Sequence, residues 1–312
     1  MTTALITHKA CFDHVTPPGH PEQVARLDAV LGALEGLELT HVAAPMAAAD
    51  DLLRCHPKRH LDEVEAAVPS EGWRSLDADT HMSVGTLEAA YRAAGGVVRA
   101  VDLVMSGDAH NAFAAVRPPG HHAERETAMG FCFFGSVAVA AKHALAFHGL
   151  KRVAIVDFDV HHGNGTQDLV EEDSRILFCS SHQSPLFPGT GAAHETGVGN
   201  VVNIPLADGA GSAAFRAVWE DQIFPRIDAF KPEFLLISAG FDAHADDPLA
   251  GMMLVDDDFT WVTSRLCDLA DAHCSGRVVS ALEGGYDLEA LGRSAHAHVT
   301  VLEKRGRSDG RQ

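Results

Sequence analysis

The run Asp157-Phe158-Asp159-Val160-His161-His162-Gly163 gathers carboxylate and imidazole groups directly after an apolar stretch, residues 153–156, that reads as a buried strand. The carboxyl ends of strands are where open α/β sheets bind ligands, so the position suits the residue types. Alternate side chains of a strand share a face, which would project Asp157, Asp159 and His161 together toward one divalent cation. The plainer alternative is that such residues finish a strand because the loop after it is solvated. Catalytic zinc keeps three protein ligands and one open position, so a donor from elsewhere is also needed. Asp242, delivered by a second apolar run at residues 234–238, supplies one. Asp159, His161 and Asp242 then offer two carboxylates and a neutral imidazole, which balance a dication and form a hydrolytic donor set. Taken alone, Asp242 reads equally well as a turn cap alongside Asp246 and Asp247.

Two more segments carry acid–base groups. In Arg117-Pro118-Pro119-Gly120-His121-His122, the prolines and glycine force an abrupt loop that presents adjacent histidines. A histidine near neutrality can take a proton from water and return one to a departing amine. Pairing of Asp157 with one imidazole and Asn164 with the other would raise the first pKa and leave the second nearer its ordinary value. In Glu283-Gly284-Gly285-Tyr286-Asp287, a flexible turn brings a phenol to the same edge. An oxyanion donor of this kind is worth about 10²–10³ in rate. The other tyrosine, Tyr91, fits a helix face.

These groups need a scaffold, and the hydrophobic pattern describes it. Strand-like runs fall at residues 4–6, 112–116, 153–156, 176–179, 201–204, 234–237 and 278–282, with helical periodicity at 24–34, 87–101, 136–147, 212–230, 257–273 and from 288 onward. Such alternation predicts an α/β fold on a mostly parallel sheet. Pro225 predicts a kink or break in the helix at 212–230. A length of 312 residues with 46% hydrophobic content suits one large domain. The polar end of the chain, residues 304–312, reads as a tail after a domain spanning 1–303. A formal charge of −19 opposes binding to nucleic acid, whose phosphates need clustered Lys and Arg. The cysteines at 11, 55, 132, 179, 267 and 274 form no CxxC pair and read as core thiols. No run has the length of a membrane span and no secretory segment opens the chain, which gives a cytoplasmic expectation.

RPPGHHAE at 117–124, GFCFF at 130–134, VDFDVHHGNGTQ at 156–167, FPGTG at 187–191, SAGFDAH at 238–244 and LEGGYD at 282–287 together resemble the zinc-dependent histone deacetylase family. GNGTQ and LEGGY are similar to its class II members and to bacterial amidohydrolase relatives, among them acetylpolyamine amidohydrolases and acetoin-utilisation proteins. The resemblance covers nearly the whole chain. It implies an arginase-like three-layer α/β/α sandwich and hydrolysis of an acetyl-lysine-like amide. By position it implies one zinc on Asp159, His161 and Asp242, His122 as general base and acid with His121 as its electrostatic partner, and Tyr286 polarising the carbonyl. It also implies Asp157 and Asn164 behind the histidines, Phe131 and Phe187 as tunnel walls with Gly130 along them, and Arg26 beneath the metal. A structural potassium would use backbone oxygens of Asp157, Asp159 and His161 with Ser180 and Ser181. At the rim, Asp77 or Asp79, with Asp79 preferred, would hold the substrate amide, and Leu249 stands where polyamine-selective relatives are expected to carry an acid. Open alternatives are an acetylpolyamine or other small amide as substrate, iron(II) in place of zinc, an arginase-type binuclear manganese hydrolase, and a silent acyl-lysine binding module. The sequence leaves oligomeric state open, a homo-oligomer included.

Overall fold

The computed structural model describes residues 2–308. Ten strands form in chain order: β1 Thr3–Thr7, β2 Leu39–Ala43, β3 Arg74–Ser75, β4 His81–Met82, β5 Asn111–Ala114, β6 Val153–Asp157, β7 Ile176–Gln183, β8 Val201–Leu206, β9 Phe234–Ala239 and β10 Val278–Leu282. β3 and β4 make a small antiparallel hairpin. The other eight build one parallel sheet in the order β2-β1-β5-β10-β9-β6-β7-β8. Every residue of β5, β6, β9 and β10 is buried. That explains their unbroken Val, Ile, Leu and Ala runs, because a parallel strand covered on both faces has no polar side to show.

The helices that cover it are α1 Ala25–Ala33, α2 Ala49–Leu52, α3 Lys58–Ala66, α4 Thr86–Ser106, α5 Ser136–Phe147, α6 Asn164–Val170, α7 Ser212–Val218, α8 Phe224–Phe230, α9 Asp256–His273 and α10 Leu288–Ser308. α4 packs on β1, β5 and β10 and α5 on β6 and β9, while α10 reaches β1 and β5 and α9 reaches β9. The result is helix, sheet and helix in three layers. α4 lies close to its neighbours through small residues: a Cβ on Gly95 would stand 2.3 Å from the Pro45 carbonyl oxygen.

Two elements differ from the sequence expectation for physical reasons, and the break expected in the helix over 212–230 is present. β2 escapes a hydrophobic reading because it is an edge strand with no fully buried residue. The helix expected over 212–230 divides into α7 and α8 around a wide turn at Trp219–Ile223. Pro225 sits in the first turn of α8, where the missing amide proton costs least. The segment expected to be a tail from residue 304 continues α10 to Ser308. Arg305 reaches Asp271 at 2.7 Å and also contacts Asp268, and Arg307 reaches Glu38 at 2.9 Å, so this polar turn docks through charges rather than an apolar face. Residues 309–312 of that expected tail lie outside the described residues. Among the described residues no helix is long and apolar enough to cross a membrane. All six cysteines are buried and unpaired.

Candidate active site

Five neighbouring strands, β5, β10, β9, β6 and β7, send their carboxyl ends to one edge of the sheet, and the loops that follow carry the chemistry-bearing motifs. After β6, Asp159 and His161 turn toward the loop after β9, where Asp242 waits. His161 Nδ1 lies 3.1 Å from Asp159 Oδ1 and 3.1 Å from Asp242 Oδ2, and all three residues are buried. The remaining carboxylate oxygens are fixed by backbone amides from neighbouring loops: Gly284 N–H donates to Asp159 Oδ2 at 2.8 Å and Val160 N–H to Asp242 Oδ1 at 2.9 Å. No side chain fits at the glycines of this cradle. A Cβ on Gly284 would stand 2.1 Å from Asp242 Oδ2, and one on Gly240 1.9 Å from Asp159 Oδ2.

The donor set fits a divalent cation. Two buried carboxylates face one imidazole with their ligand atoms within 4.8 Å of one another. Burial alone would depress His161, yet its bonds to Asp159 and Asp242 carry it up to about 10, a measure of how strongly the site attracts positive charge. Asp157 stands apart from this group. Its Oδ2 meets His121 Nδ1 at 3.0 Å and its Oδ1 accepts the Asp159 amide at 3.0 Å. Strand alternation alone would send Asp157 to the same point as Asp159 and His161, but its carboxylate is taken up by His121, as the family motifs imply.

The two histidines diverge. Burial would lower His121, but the charges of Asp159 and Asp157 outweigh it and raise its pKa well above the ordinary value. His122 has Asn164 Oδ1 at 2.7 Å from its Nδ1; burial first, then the charges of His121 and His161, push it well below the ordinary value. The sequence expectation left this second histidine near its reference, because it counted the amide partner and not the burial or the neighbouring cations. Asn164 is itself fixed by a 2.7 Å bond to Glu124.

Tyr286 enters from the loop after β10. Arg26, buried beneath it, spans the turn with Nε 2.6 Å from the Gly285 carbonyl and Nη2 2.5 Å from the Glu283 carbonyl, its guanidinium 4.9 Å from the ring centroid. Asp247 holds the turn from the other side, accepting the Tyr286 amide at 2.7 Å and the Leu249 amide at 3.0 Å. Above these groups a cavity of about 270 Å³ is lined by His122, His161, Tyr286, Gly130, Phe131, Phe187, Leu186, Pro21, Asp79 and Leu249. The Phe187 ring stands edge-on to His122 at 5.1 Å, and Phe131 stands edge-on to Tyr286 at 5.9 Å. Phe131 adopts φ 70°, a left-handed conformation costly for an aromatic residue, and its amide is held by Thr80 Oγ1 at 3.1 Å. Asp79 lines the cavity, whereas Asp77 turns back to accept the amides of Asp79 and Thr80. Ser180 pairs with Asp157 in the β6–β7 register; its hydroxyl contacts His182, and the Ser181 hydroxyl accepts from Trp219.

Some residues of the site carried no local signal. Pro21 and Leu186 line the cavity without polar chemistry, and Asp247 looked like a turn residue. Glu283 accepts the Gly120 amide at 2.7 Å and the His121 amide at 3.1 Å, a long-range role that only its place in LEGGYD hinted at.

Comparison with known proteins gives the arrangement its relatives. Residues 20–302 match the histone deacetylase domain. The chain is 41% identical over 286 residues to a histone deacetylase-like amidohydrolase of Pseudomonas aeruginosa, covering 87% of this chain and 74% of that one. It is 38% identical to a probable deacetylase of Archaeoglobus fulgidus, covering 93% of this chain and 82% of the relative. The crystal structure of the HDA15 HD domain superposes with a TM-score of 0.92 at 34% identity, covering 97% of this chain and 89% of that one. The parallel sheet and its helical layers are thus the arginase- and deacetylase-like α/β fold, and the chemistry is hydrolysis of amides. This chain belongs to the histone deacetylase family.

Proposed function

We propose that the chain removes the acyl group from acetyl-lysine-like amides, using one divalent cation held by Asp159, His161 and Asp242. The observation that carries this reading is the convergence of those three donors at the inner end of a pocket that also holds His122 and Tyr286. Zinc suits two carboxylates and an imidazole with a position left open, and iron(II) suits the same donors. When bound, the cation supplies polarisation of the carbonyl and acidification of water. The chain does the rest. His122 has Nδ1 committed to Asn164, so Nε2 is the atom that takes the proton from water and passes it to the leaving amine. His121, kept charged by Asp157, tunes that neighbour electrostatically. The Tyr286 hydroxyl donates to the oxygen on which negative charge develops.

Phe131 and Phe187 enclose the methylenes of the substrate and exclude water, while Asp79 accepts from its amide N–H in a charge-assisted bond. Apolar Leu249 at the mouth favours an acyl-lysine over a polycationic acyl amine. Asp157 engages His121 rather than a second ion, which favours one cation over a binuclear arginase-type pair. A potassium ion beside Ser180 and Ser181, on backbone oxygens of Asp157, Asp159 and His161, would brace the loop from below. Six buried, unpaired thiols suit a reducing, cytoplasmic setting.

The test compares wild type with Tyr286→Phe on an acetyl-lysine peptide, an acetylpolyamine and a simple acyl amide, with metal content measured alongside. Wild type should favour the peptide in kcat/KM and lose activity to a chelator. Tyr286→Phe should keep its metal and lose about 10²–10³ in kcat. Full turnover by Tyr286→Phe, or two metal ions bound within the Asp159 site, would overturn the reading.

A further inference from the structure

A second group of metal-ligating side chains lies outside the pocket, where α4, α5 and α2 meet. Asp102 projects from α4, His143 from α5 and His148 from the residue that ends α5. Asp102 Oδ1 lies 2.9 Å from His143 Nε2 and 2.8 Å from His148 Nε2, and the three ligand atoms lie within 4.8 Å of one another. The other nitrogen of His143 is separately engaged: Nδ1 meets Asp51 Oδ1 at 2.8 Å. A carboxylate on the far side of an imidazole fixes its tautomer, turns Nε2 toward a metal and raises its basicity, an arrangement that accompanies metal-bound histidines. None of these four residues lines the substrate cavity.

We propose that Asp102, His143 and His148 form a second, zinc-class cation site, with Asp51 orienting His143. Zinc–nitrogen and zinc–oxygen distances of about 2.0–2.2 Å put tetrahedral neighbours roughly 3.3 Å apart, so these contacts need open by only a few tenths of an ångström. The Asp159 group faces His161 at the same kind of spacing, 3.1 Å. Asp102 and His148 are partly exposed, at 30% and 18% of their side chains, which leaves a side of the ion open to water. Two histidines and one carboxylate on helices suit zinc or a neighbouring transition ion better than calcium or magnesium, which prefer all-oxygen shells. The competing occupant is a proton: a charged His143 bridging Asp51 and Asp102 would satisfy the same contacts, and burial of that imidazole is already outweighed by the two carboxylates, which raise its pKa.

The two occupants separate by metal counting. Wild type is loaded with excess zinc chloride, desalted and analysed for zinc per chain, together with His148→Gln, Asp102→Asn and Asp242→Asn. Two zinc ions are expected in wild type. His148→Gln and Asp102→Asn should each lose one and hydrolyse the acyl-lysine peptide at the wild-type rate. Asp242→Asn should lose the other, and its thermal midpoint should still rise on adding zinc, a rise abolished when His148→Gln is combined with it. Equal zinc in wild type, His148→Gln and Asp102→Asn, each folded by circular dichroism, would leave the proton as occupant and overturn the site without touching the reading of the Asp159 group. A zinc response in Asp242→Asn that survives His148→Gln would overturn it as well.

Discussion

Asp159 and Asp242 illustrate how little freedom the donors have. Each gives one oxygen to a backbone amide of a neighbouring loop and turns the other toward the His161 ring, Asp159 Oδ1 accepting the His161 amide as well, at 2.9 Å. The glycines around them are therefore part of the site although they carry no functional group. Gly284→Ala would drive a methyl into Asp242 Oδ2 and, at 2.5 Å, into Asp159 Oδ2. We expect that variant to fold and to lose metal affinity by at least tenfold, about 1.4 kcal/mol; a competitive titration with a chromophoric chelator reads this, and an unchanged affinity would show that the loop yields freely. The donors were legible in the sequence because each follows a buried strand directly, and strand ends meet at one edge. Strand alternation alone would have added Asp157 to that group; its place beside His121 came from the family motifs, because alternation says which side chains share a face, not which of them a distant histidine will claim.

At the scale of elements, interior strands were easiest to find, since burial on both faces writes an unbroken apolar run. The edge strand β2 and the two-residue β3 and β4 write nothing of the kind. Contacts between elements were equally silent. His298 on α10 is fully buried, 2.6 Å from Thr263 Oγ1 on α9 and 2.8 Å from Ser280 Oγ on β10, so it joins two helices to the sheet. Burial pushes it down to about 3 from the ordinary 6.5. Above pH 6.5 it is neutral whether folded or unfolded and adds no pH dependence. Below that value the unfolded chain takes up a proton that the folded one refuses, so stability falls with acid until the folded pKa is reached. The advantage of wild type over His298→Gln should therefore shrink by up to about 1.4 kcal/mol per pH unit below the ordinary value. Urea unfolding at about pH 7.5 and about pH 5.5 measures it, and a constant difference would contradict the burial of a neutral imidazole.

Across the whole molecule, one buried charge cluster binds distant parts of the chain. Glu22 receives Arg117 through both carboxylate oxygens, at 2.5 and 2.6 Å, and Arg26 at 2.9 Å, with His14 at 3.2 Å, all at 0–1% side-chain exposure or fully enclosed by neighbours. Arg26 then grips the Tyr286 turn, so the N-terminal loop, the end of β5 and the loop after β10 form one unit. Glu22→Gln removes the carboxylate that both guanidiniums share, leaving them buried against backbone carbonyls, and should cost about 3–5 kcal/mol in chemical denaturation. A loss below about 1 kcal/mol would mean that water reaches the cluster. No periodicity announces such a cluster, because its members pair across 95 residues of chain.

The strand order carries one more consequence, for synthesis rather than chemistry. Among the described residues β10 is the last strand in chain order, and so the last of the sheet strands to leave the ribosome, yet it occupies the middle of the sheet, between β5 and β9. A nascent chain that stops before Val278 has two half-sheets and no strand to join them, and it lacks the Glu283 to Tyr286 turn as well. Long-range parallel pairing of this kind is slow to form. The sheet must therefore wait until β10 has been made before its two parts can join, and until then their exposed edges are open to misassociation.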